Sequence, residues 1–236
     1  WIAEKLVDRG VPVLRIGNPS RVNDKMLSFT YERRFEGHPA YTELWGIRKS
    51  IREMGNRMRK SSYSEREAAR SRINHLRERA TELEIQINED LFSGARVIAS
   101  TLVSSNHRIL TGRRFTTLFI DEAAQALEAA CWIAIRKADR VIFAGDHCQL
   151  PPTIKCIEAA RNGLEQTLME KVAANKQETV SLLKVQYRMH QSIMQFSSEW
   201  FYQGELQAAP EVTNRGILDL DLPMSWIDTS EMEFHE

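Results

Sequence analysis

The sequence predicts an α/β fold: a parallel sheet, incomplete within this chain, interrupted by an inserted antiparallel helical hairpin. Two short apolar runs, Thr117 to Ile120 and Val141 to Ala144, carry the first part of that reading. They are too short and too rich in β-branched or aromatic residues for helices, and read as buried parallel strands. Each ends abruptly in polar and acidic residues, as strands do where a parallel sheet presents its carboxyl edge to ligands. The second part comes from residues 43–92, where apolar side chains recur at alternating three- and four-residue steps. Two such stripes imply two helices packed in a coiled-coil manner.

Taken in order, residues 1–30 read as a helix with Ile2, Leu6 and Val7 on its apolar face, a strand at Val11–Ile16 and a turn at Gly17-Asn18-Pro19. Leu44, Ile47, Ile51, Met54 and Met58 then form one stripe, and Ala69, Ile73, Leu76, Ala80, Leu83 and Ile87 the other. Between them Lys60 to Ser64 is a polar break, and Ser64 with Glu67 reads as a capping box opening the second helix. A break this short makes the pair antiparallel, and helix of that length projects roughly 40 Å. Texture returns to α/β with strands at Arg96–Thr101, 117–121 and 140–146, helices at Ala123–Arg136 and Ile157–Val172, and a new strand beginning at Val180–Leu183. The last twenty residues hold six acids and no Lys or Arg, and a strand is expected near Trp226.

The hairpin tip is basic. Nine Lys or Arg lie between Arg48 and Arg72 against three Glu. A solvated helix face is the bland explanation; the sharper one is that Arg57, Arg59 and Lys60 meet nucleic-acid phosphates, a contact that counterion release would make salt-dependent. The chain as a whole gives no such signal, since 32 basic residues balance 32 acidic ones. No apolar run approaches the roughly eighteen residues of a membrane span, so no membrane is expected as a partner, and the first residues have neither the charge pattern nor the length of a signal peptide. Three cysteines without CxxC spacing read as reduced thiols of a cytoplasmic or nuclear protein.

Asp121 and Glu122, Asp146 and Gln149 should gather at one edge of one sheet. Adjacent Asp and Glu there suit a magnesium-nucleotide site, one carboxylate on the metal and one on the attacking water; alternatively both acids simply favour a helix N-terminus. Gln149 can donate to a phosphate oxygen and accept from water with one amide. Leu150-Pro151-Pro152 forms a stiff exit that cannot continue a sheet.

The segments Asp121-Glu122-Ala123-Ala124-Gln125, Gly145 to Pro152 and Gln186-Tyr187-Arg188-Met189-His190, followed by Phe201-Tyr202-Gln203-Gly204-Glu205-Leu206, resemble motifs II, III and IV and the following stretch of superfamily 1 helicases. More narrowly they are similar to the up-frameshift-like group, which includes the nonsense-mediated decay helicase, senataxin and the immunoglobulin-mu-binding helicases. The resemblance implies a RecA-like P-loop NTPase sheet, with ATP and Mg²⁺ as cofactors and single-stranded DNA or RNA as partner. It implies Mg²⁺ on Asp121, water activation by Glu122, γ-phosphate sensing by Gln149 and an arginine finger at Arg188, on the first helix of a second motor domain. Gln186 and Tyr187 would stand near phosphates and base, Thr101 would touch the nucleic-acid backbone, and Pro151 and Pro152 would link nucleotide edge to strand groove.

The implied division is a first motor domain at 1–30 and 93–178, the hairpin at 31–92, and the start of a second motor domain at 179–236. A G-x-x-x-x-G-K-[ST] loop, which the family carries upstream, is not in the sequence. The chain is therefore expected to be the central piece of a longer, monomeric helicase or translocase, hydrolysing little ATP by itself. A degenerate motor serving as a nucleic-acid-binding scaffold is the alternative, and a hairpin that docks a partner protein a third.

Overall fold

The computed structural model describes residues 1–58, 63–216, 223–225 and 227–230. Contacts divide the chain into two units: residues 1–120 with 127–143, and residues 121–126 with 144–236. The expected strand near Trp226 lies outside the described residues.

In the first unit, α1 (Ile2–Asp8) leads to β1 (Val13–Ile16), α2 (Asp24–Leu27), α3 (Tyr31–Glu36), α4 (Tyr41–Met58) and α5 (Tyr63–Ser93). Then come β2 (Val97–Ser100), β3 (Phe115–Ile120), α6 (Glu128–Ile135) and β4 (Ala138–Phe143). β1 pairs in parallel with β2, Val13 opposite Val97 through Ile16 opposite Ser100. β3 pairs in parallel with β4, Leu118 opposite Val141 and Ile120 opposite Phe143, with α6 as the crossover. The single sheet expected from the sequence is thus two parallel pairs among the described residues. They meet through side chains instead of a ladder: Leu14, Ile16, Phe92 and Leu110 form one core, against which Ile98 of β2 and Phe115 of β3 pack. β1 starts at Val13, not Val11, because the Val11 N–H donates to Leu6 O and closes α1.

α4 and α5 pack along both apolar stripes. Leu44 near the start of α4 is buried with Ala80, Leu83 and Ile87 in the second half of α5. Met58 at the end of α4 and Arg66 near the start of α5 line one groove. Each stripe position of α4 and α5 is buried or half-buried, while the residues between them are mostly exposed. Arg48 pairs with Glu84 at 2.6 Å and Arg79 with Glu43 at 2.9 Å across the seam. Ser64 lies inside α5 and not at its cap.

In the second unit, α7 (Ile157–Ala159) runs into a π turn (Ala160–Leu164), followed by α8 (Leu168–Asn175), β5 (Val185–Gln186), α9 (Gln191–Phe201) and β6 (Gln207–Ala208). The continuous helix expected at 157–172 is broken because Gly163 adopts φ 94° and Thr167 restarts the helix. Thr167 is fully buried and forms a complete capping box with Glu170. Among the described residues the strand expected at Val180–Leu183 finds no partner, and Leu183 is 87% exposed. Pairing begins only at Val185, opposite Gln207, in parallel and with α9 as the crossover. Leu168, Met194, Ala209 and Val212 are the buried apolar residues around these elements. Among the described residues no helix is long and apolar enough to cross a membrane.

Candidate functional site

β3 ends at Ile120 and β4 at Phe143, so the two acidic segments both begin at carboxyl ends of paired parallel strands. Glu122 then takes a left-handed conformation, φ 51° and ψ 40°, which costs a non-glycine residue about 1–3 kcal/mol. After that reversal, the helix expected at Ala123–Arg136 is instead a 3-10 turn at Ala123–Gln125, an extended Ala126-Leu127 link and a helix starting only at Glu128. Glu122 makes no side-chain capping bond, so the helix-cap alternative for it has no support. Asp121 and Glu122 are both exposed, while Ala123 and Ala124 behind them are buried.

The two segments are held by backbone. Ala123 N–H donates to Ala144 O at 2.9 Å. Gly145 lies so close that an added Cβ would stand 3.0 Å from Ala123 N and 3.1 Å from Ala124 N, with Met169 Sδ at 3.2 Å. A Cβ there would force the facing backbone to give by a few tenths of an ångström, so glycine suits that approach best. Asp146 follows, half-buried, as the hub of the second segment. Its Oδ1 accepts from Cys148 N–H at 3.1 Å and its Oδ2 from the Gln149 amide at 2.8 Å. The Tyr202 hydroxyl donates to the same Oδ2. Partial burial alone would push the Asp146 carboxyl up; the bonds from Tyr202, Gln149 and Cys148 outweigh it and hold the group below the usual carboxylate range. Burial first, and then the adjacent carboxylate, push the Tyr202 hydroxyl well above the ordinary phenol range. Ligand atoms of Asp146, His147 and Cys148 lie within 4.8 Å of one another. Both Asp146 oxygens are already hydrogen-bonded, however, and the exposed Cys156 is not in the group.

Gln149 and Pro151 are exposed, as is Leu150 at 80%, whereas Pro152 is buried. Gln186 is committed to its own loop: its Oε1 accepts from Arg188 N–H at 2.8 Å and Met189 N–H at 2.9 Å, and its Nε2 donates to Met189 O at 2.7 Å. This brace sets the backbone that presents Tyr187 and Arg188, both exposed. Arg188 therefore stands in the loop between β5 and α9 and not on the helix, which His190 caps by accepting from Ser192 N–H at 3.0 Å.

In the first unit, Thr101 follows β2 directly. Its hydroxyl accepts from Ser104 N–H at 3.1 Å and donates to Ser104 Oγ at 2.9 Å, closing a turn. At the far end of α4 and α5, Gly55, Met58, Arg66, Arg70, Ile73, Asn74 and Arg77 line a groove of about 570 Å³. Arg57, between Gly55 and Met58 on α4, is exposed; Arg59 and Lys60 lie outside the described residues. The helical spacing of Arg66, Arg70 and Arg77 was visible in the sequence, but only the packing shows that they share one groove with α4. Tyr202 sits 56 residues from Asp146, and no local pattern announces their bond.

Two families, both described as AAA domain, match this chain, one over residues 2–156 and the other over residues 164–235. The chain is 32% identical over 244 residues to DNA-binding protein SMUBP-2 of Rattus norvegicus, an alignment that takes in 97% of the chain and 25% of that protein. It is 31% identical to DNA polymerase alpha-associated DNA helicase A of Schizosaccharomyces pombe, over 93% of the chain and 33% of that protein. It is 34% identical to the Regulator of nonsense transcripts 1 homolog of Arabidopsis thaliana, over 94% and 17% respectively. The chain thus spans between about a sixth and a third of these three relatives.

Proposed function

Since the chain belongs to the AAA-domain P-loop NTPases, and within them to the up-frameshift-like superfamily 1 helicases, we propose that it is the central part of an ATP-dependent helicase or translocase on single-stranded DNA or RNA. The observation that carries this is the backbone clamp from Ala123 N–H to Ala144 O. With Gly145 it fixes two polar segments side by side. Asp121, an exposed hard-oxygen donor at a strand end, fits Mg²⁺, which takes one or two carboxylates beside nucleotide phosphates. The bound ion would neutralise charge developing on the transferred phosphoryl group.

Glu122 orients or deprotonates the attacking water. Its strained backbone holds the carboxylate out of the helix that follows, where it would otherwise be an ordinary cap. Among the described residues Gln149 keeps one amide hydrogen and its carbonyl oxygen free after bonding Asp146, which suits contact with a phosphate and a water together. Arg188 supplies positive charge to the transferring group, and the Gln186 brace fixes the loop that carries it. Tyr187 stands beside the base. Thr101, Pro151 and Pro152 contact or guide the strand, and α4 and α5 form a hairpin inserted into the first motor domain, its Arg-lined end on the phosphates. The motor domains run over 1–30 with 93–178, and from 179 onward. This chain alone hydrolyses little ATP, because the sequence that cradles the phosphates is not in it.

The test is ATP turnover by the protein carrying this chain with its natural flanking sequence, with and without single-stranded DNA or RNA. Strand-stimulated turnover should fall about 10²–10⁴-fold in Glu122→Gln and about 10³–10⁵-fold in Arg188→Ala. Tight strand binding without any turnover in the parent would make the protein a scaffold instead.

A further inference from the structure

Asp146 Oδ2 takes two donors from distant parts of the chain. One is the Gln149 amide, three residues on, and the other the Tyr202 hydroxyl, 56 residues on. Asp146 and Gln149 belong to the segment matched by the first AAA-domain family, and Tyr202 to that matched by the second. A second contact runs alongside, from Cys148 Sγ to Phe201 O at 3.9 Å. All of these residues lie within one compact unit.

Tyr202 is itself firmly placed. It closes α9, with its N–H on Ser198 O at 3.0 Å, and the next two residues turn back in left-handed conformations, Gln203 at φ 55° and Gly204 at φ 74°. Gly204 N–H returns to the same Ser198 O at 2.9 Å, and the Ser198 hydroxyl, on a residue 3% exposed, accepts from Leu206 N–H at 3.1 Å. The phenol is thus a donor fixed at the end of a helix, aimed at a carboxylate oxygen that it shares with the exposed Gln149 amide.

We propose that Tyr202 is a positioning residue for Gln149: by sharing Asp146 Oδ2 with the Gln149 amide, it sets that amide's orientation and makes it responsive to α9. The inference rests on the assignment of Gln149 to the nucleotide site. A carboxylate oxygen accepts two donors comfortably, so Tyr202 and Gln149 fill Oδ2 while Cys148 N–H holds Oδ1. With all three bonds made, the carboxylate cannot rotate, and the Gln149 amide has one fixed direction for its free hydrogen. Loss of the phenolic O–H frees Oδ2 to reorient, and the amide loses its registration without losing its own bond. Movement of α9 would have the same effect, so the state of the second segment is read out at Gln149.

Two measurements on Tyr202→Phe test this. In the 236-residue chain, the side-chain amide resonances of Gln149, assigned by their loss in Gln149→Ala, should shift and their protons exchange faster. The thermal midpoint should stay within a few degrees. In the protein with its natural flanking sequence, strand-stimulated kcat for ATP should fall about tenfold with KM within about twofold. The double variant with Gln149→Ala should be no slower than Gln149→Ala alone, because Tyr202 then has nothing left to position. Unchanged Gln149 resonances, or losses that multiply in the double variant, would overturn the proposal. An inactive parent would count against the ATPase assignment, while the amide resonances would still decide the coupling between Tyr202 and Gln149.

Discussion

Two neighbouring residues, Glu122 and Gly145, hold the site together by opposite backbone logic. Glu122 occupies a left-handed conformation that suits glycine, and Gly145 an approach that crowds any added Cβ. Replacing Glu122 by Gly relieves about 1–3 kcal/mol of strain and adds about 0.5–1 kcal/mol of unfolded-chain entropy, so strain relief wins. Glu122→Gly should unfold at the same or higher urea concentration than the original chain, while abolishing turnover in the parent. Gly145→Ala should instead unfold at a lower urea concentration. Its methyl group meets backbone nitrogens at 3.0 and 3.1 Å, which cannot swing aside as a side chain could, so overpacking costs about 1–3 kcal/mol. A urea midpoint for Glu122→Gly well below that of the original would show that this conformation is not strained. At this scale the sequence revealed the acids themselves, because acids closing short apolar runs are a local signal. It concealed Asp146 as the hub, because two of its three donors are within reach of sequence inspection but Tyr202 is brought in only by the path of α9.

Among the elements, the α4–α5 pair was the most legible. A period of three and four residues directly encodes a buried stripe, and each expected position is buried or half-buried. The helices expected at 123–136 and 157–172 are each interrupted by a backbone event that residue type does not encode: the extended Ala126-Leu127 link in the first and Gly163 at φ 94° in the second. The strand expected at 180–183 failed for another reason, since β propensity needs a partner ladder and these residues have none among the described residues. The α4–α5 seam also separates packing from charge. Leu83 is 2% exposed against Leu44, whereas Arg79 and Glu43 are each about half exposed. Leu83→Ala should therefore cost about 2–5 kcal/mol, and Arg79→Ala far less, because its ion pairs are exposed and screened by solvent. Urea unfolding followed by circular dichroism at 222 nm, where these two long helices dominate, measures both. Comparable losses in the two variants would mean that the seam is held by ions and not by its apolar stripe.

For the molecule as a whole, zero formal charge hides a strongly uneven distribution. Long-range steering by net charge is absent, so any affinity for a polyanion must come from a local surface within about a Debye length, roughly 8–10 Å. The groove at the far end of α4 and α5 is such a surface, with Arg66, Arg70 and Arg77 on one face of α5 beside Gly55, where no side chain blocks approach. Arg57, exposed on α4 between Gly55 and Met58, is a fourth basic residue of this end. If three of these neutralise strand phosphates, the logarithm of affinity should fall with the logarithm of salt concentration at about 0.7 per contact. Charge reversal of Arg66, Arg70 and Arg77 to Glu should then weaken binding of a single-stranded oligonucleotide and flatten the slope by about 2. The loss should be equal for different base sequences, because phosphate contacts carry none. Fluorescence anisotropy across a salt series reads affinity and slope together. An unchanged slope would remove the groove from the strand path and leave its arginines as a solvated face, which is the distinction the sequence could pose but not resolve.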